Sequence, residues 1–525
     1  MRATASALAA GAAAAFCLAL ARRRRQRGAD ASVCGDDELA LLVRGTVIAS
    51  ASRAELAVHE HAVLGVTGAG QVAFLEAGHT ESLAAGGALR LRGDGSGGVA
   101  EVRRLPSGLR IVELPKRGFL VPGFVDTHTH APQYFFTGKG YDLQLLDWLN
   151  TYTFPAEAKF SREAHAAAVC SNAVRRTLQH GTTSCVYFCS LHTDAALALG
   201  RACAAQGQRA LVGKVNMDRN APDYYVEGSA ATSLSETERL LRELPTVAPP
   251  SLVQPILTPR FVPTCTSELM SGLGALAKAR GLRVQTHVSE NKGEIAWVRE
   301  LHPEQPSYAA VYDAAGLLRE GTILAHGIHL DAAERALVRE RGAVVSHCPM
   351  SNNMLSSGCL NVRRMLDEGV RVALGTDVSG GASPSMLTAI REALKVSNLV
   401  AIGAGGGGGD EPGEAGAAAG GGGGPRWPAL KFAEAFWLAT VGGAQALAWP
   451  GVTGDFGVGS TFDAVAVDPE AAGSGVDLYD DDGSLDAFQK WLQLGDDRNT
   501  AAVWVGGRQV LPRTDLHCRP CCAAA

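Results

Sequence analysis

Two histidines two residues apart, His128 and His130, close the run Pro122-Gly-Phe-Val-Asp-Thr-His-Thr-His130. In an extended chain such residues point the same way, so both imidazoles face one side of a strand and can hold one divalent metal. A hydrogen-bonded core pair is the plainer reading, and His59-Glu60-His61 shows how readily the pattern arises. Distant partners shift the balance: His287 lies in Thr286-His-Val-Ser-Glu290, His326 in Leu324-Ala-His-Gly327, and Asp377 closes Gly375-Thr-Asp377. Each falls at the end of an expected strand. His128, His130 and His287 as neutral imidazoles, with the Asp377 carboxylate, form a closed set of N and O ligands for one Zn²⁺ per chain, with a water completing the site. His326 is left at the rim, to hydrogen-bond water or substrate, or else as a structural histidine. Coordination lowers the pKa of a bound water to about 7. Glu290, three residues past His287, reaches that water without ligating, as a general acid/base, and Asp377 could also accept its proton.

Eight short apolar runs must position these groups: 119–126, 183–188, 210–216, 252–258, 282–288, 322–326, 343–347 and 371–376. Ala- and Leu-rich helical stretches fill most of the gaps, which fits an α/β fold with a (β/α)8 TIM-like barrel over 119–449. The count alone does not separate a barrel from a doubly wound sheet. Chemically able residues at the C-terminal strand ends favour the barrel. Short alternating runs with glycine punctuation, over 38–118 and again over 450–515, predict a small β-sandwich domain formed by both chain ends.

Composition narrows the classes. With 525 residues, 46% hydrophobic and 19% charged, the chain is neither wholly disordered nor a disulfide-stapled mini-domain. Its 48 basic and 53 acidic residues nearly cancel, and no basic block follows the N-terminus, which argues against nucleic acid as a partner. The 12 cysteines are scattered, as expected of a reducing compartment; one C-x-x-C pair, Cys518 and Cys521, in the tail 516–525 is weak evidence for a metal knuckle. Residues 3–21 are uncharged and rich in Ala and Leu, and Arg22 to Arg25 follow. The extension 1–37 therefore reads as a transit peptide or disordered segment before a membrane anchor, so a cytoplasmic location is expected, with an organellar one as the alternative. Residues 403–424 hold 13 of the 62 glycines and nothing apolar larger than Ala, which makes them a flexible insertion. They lack the Lys-Ser/Thr and the preceding strand of a phosphate loop.

The stretches PGFVDTHTHAPQ, TPRF, THVSEN, LAHG, SHCPMSN and LGTDVSGG, in this order, resemble the metal-dependent amidohydrolase superfamily and, in detail, its guanine deaminase family. The resemblance runs from about residue 40 to about 512, interrupted by the Gly-rich insertion, which that family does not usually carry. H-x-H marks the superfamily, whereas Asp142-Leu-Gln-Leu-Leu-Asp-Trp148, Tyr152-Thr-Phe-Pro155 and Leu494-Gly-Asp-Asp-Arg-Asn499 are similar to the narrower family. The resemblance implies Zn²⁺ on His128, His130, His287 and Asp377, a proton shuttle at Glu290, a homodimer, and hydrolysis of guanine to xanthine and ammonia in purine catabolism. It also implies that Gln133, Arg260 and Phe261 contact the purine, within reach of His130, His287, Glu290 and Asp377. These roles make physical sense. Arg260 is donor-only, so it can bind a 6-oxo group but offers nothing to a 6-amino group. Gln133 supplies a donor and an acceptor, and Phe261 can stack on the base. Rival readings are a relative acting on an adenine-like, pterin-like or chlorinated triazine substrate, a dinuclear hydantoinase-type enzyme, and a catalytically silent scaffold. The dinuclear reading lacks its lysine, because the fourth strand ends Thr258-Pro-Arg260. The scaffold reading is opposed by a ligand set that is complete.

Overall fold

Strands buried on both faces read as continuous apolar runs, and parallel sheets are built from them. The computed structural model describes residues 38–78, 88–92, 99–106, 108–403, 427–448, 454–512 and 518–520. The first parallel strand, Phe124–His130, joins the second, Thr182–Phe188, the third, Arg209–Gly213, and the fourth, Val253–Pro255, in one four-stranded sheet. The fifth, Val284–Val288, sixth, Thr322–His326, seventh, Val344–His347, and eighth, Arg371–Leu374, form another. A parallel bridge between Leu257 and Val284 links the two sheets. At the opposite edges, the Asp377 N–H donates to His128 O at 2.8 Å and the His130 N–H to Val378 O at 2.9 Å. Val125, Val186, Leu211 and Ile323, from four different strands, and Ile256, just past the fourth, meet in one buried cluster with Leu447. Helices fill the intervals. Ser267–Arg280 is typical: Thr266 accepts from the Leu269 N–H at its start, and Gly281 ends it in the left-handed conformation.

Segments from early and late in the described chain meet in a separate, nine-stranded sheet. Its central path runs Arg508–Pro512, Thr500–Val505, Ala464–Val467, Phe119–Pro122, Leu39–Ser50, Leu56–Thr67 and Val72–Glu76; Arg110–Glu113 pairs with Leu39–Ser50, and Cys518–Pro520 with Arg110–Glu113. A separate hairpin joins Ala88–Arg92 to Val99–Arg104. Among the described residues of 38–118 and 450–515, this hairpin is the only sheet besides the large one. The extension 1–37, almost all of the Gly-rich run and Cys521 and Cys522 lie outside the described residues.

The strand expected over 119–126 is two strands. Phe119–Pro122 belongs to the nine-stranded sheet and Phe124–His130 to the parallel one. The break falls at Gly123, where a Cβ would lie 2.2 Å from Thr183 Oγ1. The Gly123 N–H donates to Asp463 O at 3.0 Å. The buried Asp463 carboxylate in turn accepts from Arg209 Nε and Nη2, both at 3.1 Å, and from the Gly506 N–H at 2.7 Å. Because the strand restarts at Phe124, both histidines lie within it, and His130 pairs with Phe188 of the second strand.

Candidate active site

The first strand carries His128 and His130 into the interior, where both are buried. Asp126, two residues earlier, fixes their register. Its carboxylate accepts from the His128 N–H at 3.2 Å and from the N–H and hydroxyl of Thr376 at 3.0 and 2.5 Å. This draws Thr376, and with it Asp377, against the first strand. Burial raises the Asp126 pKa to about 7, against the pull of those hydrogen bonds. His287 ends the fifth strand, and Glu290 follows on a turn whose sequence explains its shape. Ser289 takes φ 47°, and Asn291 caps the helix Lys292–Leu301 in a capping box with Glu294. Glu294 also accepts from the Glu290 N–H at 3.0 Å, which ties down the backbone of that residue.

The four expected ligand residues converge. His130 Nε2 lies 3.2 Å from His128 Nε2, 3.3 Å from His287 Nε2 and 3.2 Å from Asp377 Oδ1, and His128 Nε2 is also 3.2 Å from Asp377 Oδ1. The outward nitrogens assign the protons. His128 Nδ1 donates to Gln285 Oε1 at 3.1 Å and His287 Nδ1 to Arg260 O at 2.6 Å, so the lone pairs of both Nε2 atoms point inward at one another. Lone pairs converging at this distance repel unless a cation sits among them. Tetrahedral Zn–N and Zn–O bonds of the usual length place ligand atoms about 3.3–3.4 Å apart, so this donor set fits Zn²⁺. Burial, relieved only in part by Asp377, lowers the His128 pKa and brings that of His130 to about 4, keeping both neutral as ligands must be. Burial and the neighbouring imidazoles push His287 far down. Burial opposes the Asp377 charge, but the adjacent His128 and His130 imidazoles outweigh it and hold its carboxyl well below the usual range.

The remaining expected residues line the same cavity of about 430 Å³: Gln133, Arg260, Phe261, Glu290 and His326, joined by Leu145, Trp148 and Leu355. Glu290 Oε2 lies 3.3 Å from His326 Nε2, and Ser357 Oγ approaches Glu290 Oε1 at 3.5 Å. Burial, then the Glu294 and Asp377 carboxylates, raise the Glu290 pKa well above the usual value. His326 Nδ1 donates to Asn352 Oδ1 at 2.8 Å, which leaves Nε2 as an acceptor. Its Nε2 is also 3.8 Å from Asp377 Oδ2, at the edge of the ligand cluster. His326 and Asp377 adopt φ 69° and 47°, strained values of about 1–3 kcal/mol each that the surrounding packing must hold. Phe188 floors the cluster, its ring centroid 4.9 to 5.4 Å from those of His128, His130 and His287. Phe261 is a wall shared with a neighbouring cavity of about 640 Å³, and Trp297 meets its ring edge-on.

Several residues of the site were not singled out by the sequence. Glu157 is buried and holds both Arg260 and Gln133, and Tyr225 donates to it. It follows two residues after the aromatic stretch Tyr152-Thr-Phe-Pro155, which could have pointed to it; nothing in the sequence marks Tyr225. The pattern Asn291-x-x-Glu294 was a readable capping box. Conversely, Leu494–Asn499 does not line the cavity: Asn499 is buried against Asp468 O, Pro469 O and Ser474 Oγ, a structural role. His59 and His61 lie on the strand Leu56–Thr67 of the nine-stranded sheet, outside the cavity.

Comparison with known proteins agrees with this arrangement. The amidohydrolase family model matches residues 119–419. Guanine deaminase of Rattus norvegicus is 43% identical over 482 residues, covering 90% of this chain and 97% of that protein. The Homo sapiens guanine deaminase is 42% identical over 481 residues, with the same coverage of 90% and 97%. Among solved structures, guanine deaminase from C. acetobutylicum with bound guanine in the active site superposes with a TM-score of 0.76 at 32% identity, covering 90% of this chain and all of that one.

Proposed function

Since the chain belongs to the amidohydrolase family and, within it, to the guanine deaminases, we propose that it is a zinc-dependent enzyme hydrolysing guanine to xanthine and ammonia in purine breakdown. The observation that carries the reading is a converging His₃Asp donor set, three of whose members, His130, His287 and Asp377, line one cavity with Arg260, Gln133 and Glu290. His128, His130, His287 and Asp377 would hold the zinc, which when bound supplies a water activated at neutral pH. Arg260 donates to the 6-oxo group, and Gln133 meets the ring edge with its free N–H and lone pair. Leu145, Trp148 and Phe261 form the apolar walls that exclude water. Glu290 takes the proton of the attacking water as its oxygen bonds to C2 and delivers it to a ring nitrogen, N3. After the C2–N bond breaks, the amine leaves as ammonia with the second proton. His326, an acceptor at Nε2, orients the Glu290 carboxyl.

The same reading extends to the architecture. The eight parallel strands are one (β/α)8 barrel over 119–449, and the interior cluster drawn from four of the strands and Ile256 supports it, as does hydrogen bonding at both sheet junctions. The companion domain of 38–118 and 450–515 is a β-sandwich, supported by Leu89 of the hairpin packing on Leu42, Val63, Phe74 and Ile111 of the large sheet. The enzyme acts as a homodimer. A cytoplasmic setting suits its free cysteines, which among the described side chains are buried at Cys170, Cys185, Cys189, Cys203, Cys265 and Cys348 and half-buried at Cys359. Among the described residues no helix is long and apolar enough to cross a membrane; the segment 3–21 lies outside them.

The test is a panel of guanine, adenine, cytosine and pterin, scored for ammonia, with zinc measured on the same protein. Guanine-dependent ammonia with about one zinc per chain is expected. Preference for another substrate, or a metal-free protein of full stability, overturns the reading.

A further inference from the structure

We infer that Glu157 is a positioning residue that sets the preference of this cavity for a 6-oxo purine, an inference that rests on the guanine reading above. Its carboxylate is wholly buried and saturated. Oε1 accepts from Gln133 Nε2 at 2.9 Å and Arg260 Nη2 at 3.2 Å; Oε2 accepts from Arg260 Nη1 and the Tyr225 hydroxyl, each at 2.7 Å. Four donors occupy the roughly four lone-pair sites of a carboxylate.

Two consequences follow for the groups that face the substrate. The Gln133 amide has a single orientation, because its nitrogen is claimed by Glu157 while its oxygen accepts from the Ser379 N–H at 3.1 Å. The Arg260 guanidinium is held in one plane, with Glu157 at its edge and the Phe154 ring 5.1 Å from its central carbon. Its remaining N–H groups are then fixed donors, complementary to a 6-oxo acceptor. Glu157 itself does not line the cavity. It acts through Gln133 and Arg260.

A glutamine at 157 is therefore not a silent isostere. Its amide carries one NH₂, which must face either the Gln133 and Arg260 donors or the Arg260 and Tyr225 donors, whichever way it turns. One of the substrate-facing groups must rotate away, and the donor pattern at the purine 6-position is lost. A hydrogen bond to a charged group is worth about 1.5–3 kcal/mol, or roughly 10- to 150-fold in kcat/KM.

The experiment compares wild type with Glu157→Gln as full-length, zinc-loaded proteins on guanine and on 2-aminopurine, which keeps the 2-amino group and lacks the 6-oxo group. Zinc content and thermal midpoint are read on the same samples. The ratio of kcat/KM for guanine to that for 2-aminopurine should fall about 10- to 150-fold, with the change for 2-aminopurine within about threefold. Where turnover of 2-aminopurine is slow, its inhibition constant against guanine replaces the rate. Glu157→Asp, which keeps the charge, should restore part of the ratio; it is the variant to read if Glu157→Gln does not fold. A parallel fall on both substrates, with the ratio unchanged, means a structural role only and overturns the inference while leaving the guanine reading intact. Wild-type protein loaded with zinc that releases no ammonia from guanine overturns both.

Discussion

Replacing Glu290 by glutamine separates proton transfer from everything else the site does. The turn that presents Glu290 is fixed by Glu294 through its backbone N–H, so the position survives a side-chain change. The side chain is 4% exposed, and its partners are His326 Nε2 at 3.3 Å and Ser357 Oγ at 3.5 Å. Burial and the nearby carboxylates raise its pKa, so it holds the proton it takes from the water, with its O–H then facing the acceptor nitrogen of His326. In Glu290→Gln an amide N–H can take over that contact with little change of volume. What is lost is the ability to accept a proton and return it. A positioned general acid/base contributes about 10²- to 10⁴-fold, so kcat should drop by that factor, equivalent to about 2.7–5.5 kcal/mol of barrier. The ligand atoms of His128, His130, His287 and Asp377 are untouched, so zinc should stay at the wild-type level and KM within about tenfold. Ammonia release against guanine concentration, with elemental analysis of the same protein, reads all three quantities. A rate within tenfold of wild type would show that another group moves the proton. Loss of zinc would show instead that Glu290 helps to build the metal site.

Other outcomes can be checked independently. Asp463→Ala removes the carboxylate that pairs with the buried Arg209 guanidinium and should cost about 3–5 kcal/mol, seen as a lowered midpoint in urea unfolding; a change below 1 kcal/mol would place that contact outside the folding core. His130→Ala removes the imidazole whose Nε2 touches three other ligand atoms, so bound zinc should fall well below one per chain and the thermal midpoint should stop responding to a chelator. Burial opposes the Glu157 charge, but Arg260 and the hydrogen bonds outweigh it and depress its carboxyl pKa. The stability this contributes is full above about pH 4.3 and is lost as pH falls through the lower folded value. The slope of thermal midpoint against pH below about 4.3 should therefore flatten in Glu157→Gln, and an unchanged slope would assign the acid transition to other groups.

Much of the site was legible because its chemistry depends on residue type. His128, His130, His287, Glu290, His326 and Asp377 carry functional groups that few residues offer, and each stands beside an apolar run that must become a strand. All but His128, which sits behind His130, line one cavity, as do Gln133, Arg260 and Phe261. Less legible was whatever depends on partners distant in sequence. Glu157 and Tyr225 are 68 positions apart, and Arg260 is 103 positions from Glu157, so their convergence is a product of the fold. Strand boundaries were hidden for a similar reason. Nothing in Phe119-Leu-Val-Pro-Gly-Phe-Val signals a change of sheet except Gly123, and the reason for glycine there is the approach of Thr183 from another strand.

That single glycine also limits how the molecule can be taken apart. Four residues on one side of it form a central strand of the nine-stranded sheet, and seven on the other carry two imidazoles into the active site, with no slack between. A truncation or circular permutation placed at residue 123 would open an inner seam of one sheet and an edge of the other at once. The two layers should therefore melt in one transition, and limited proteolysis should release neither as a folded fragment.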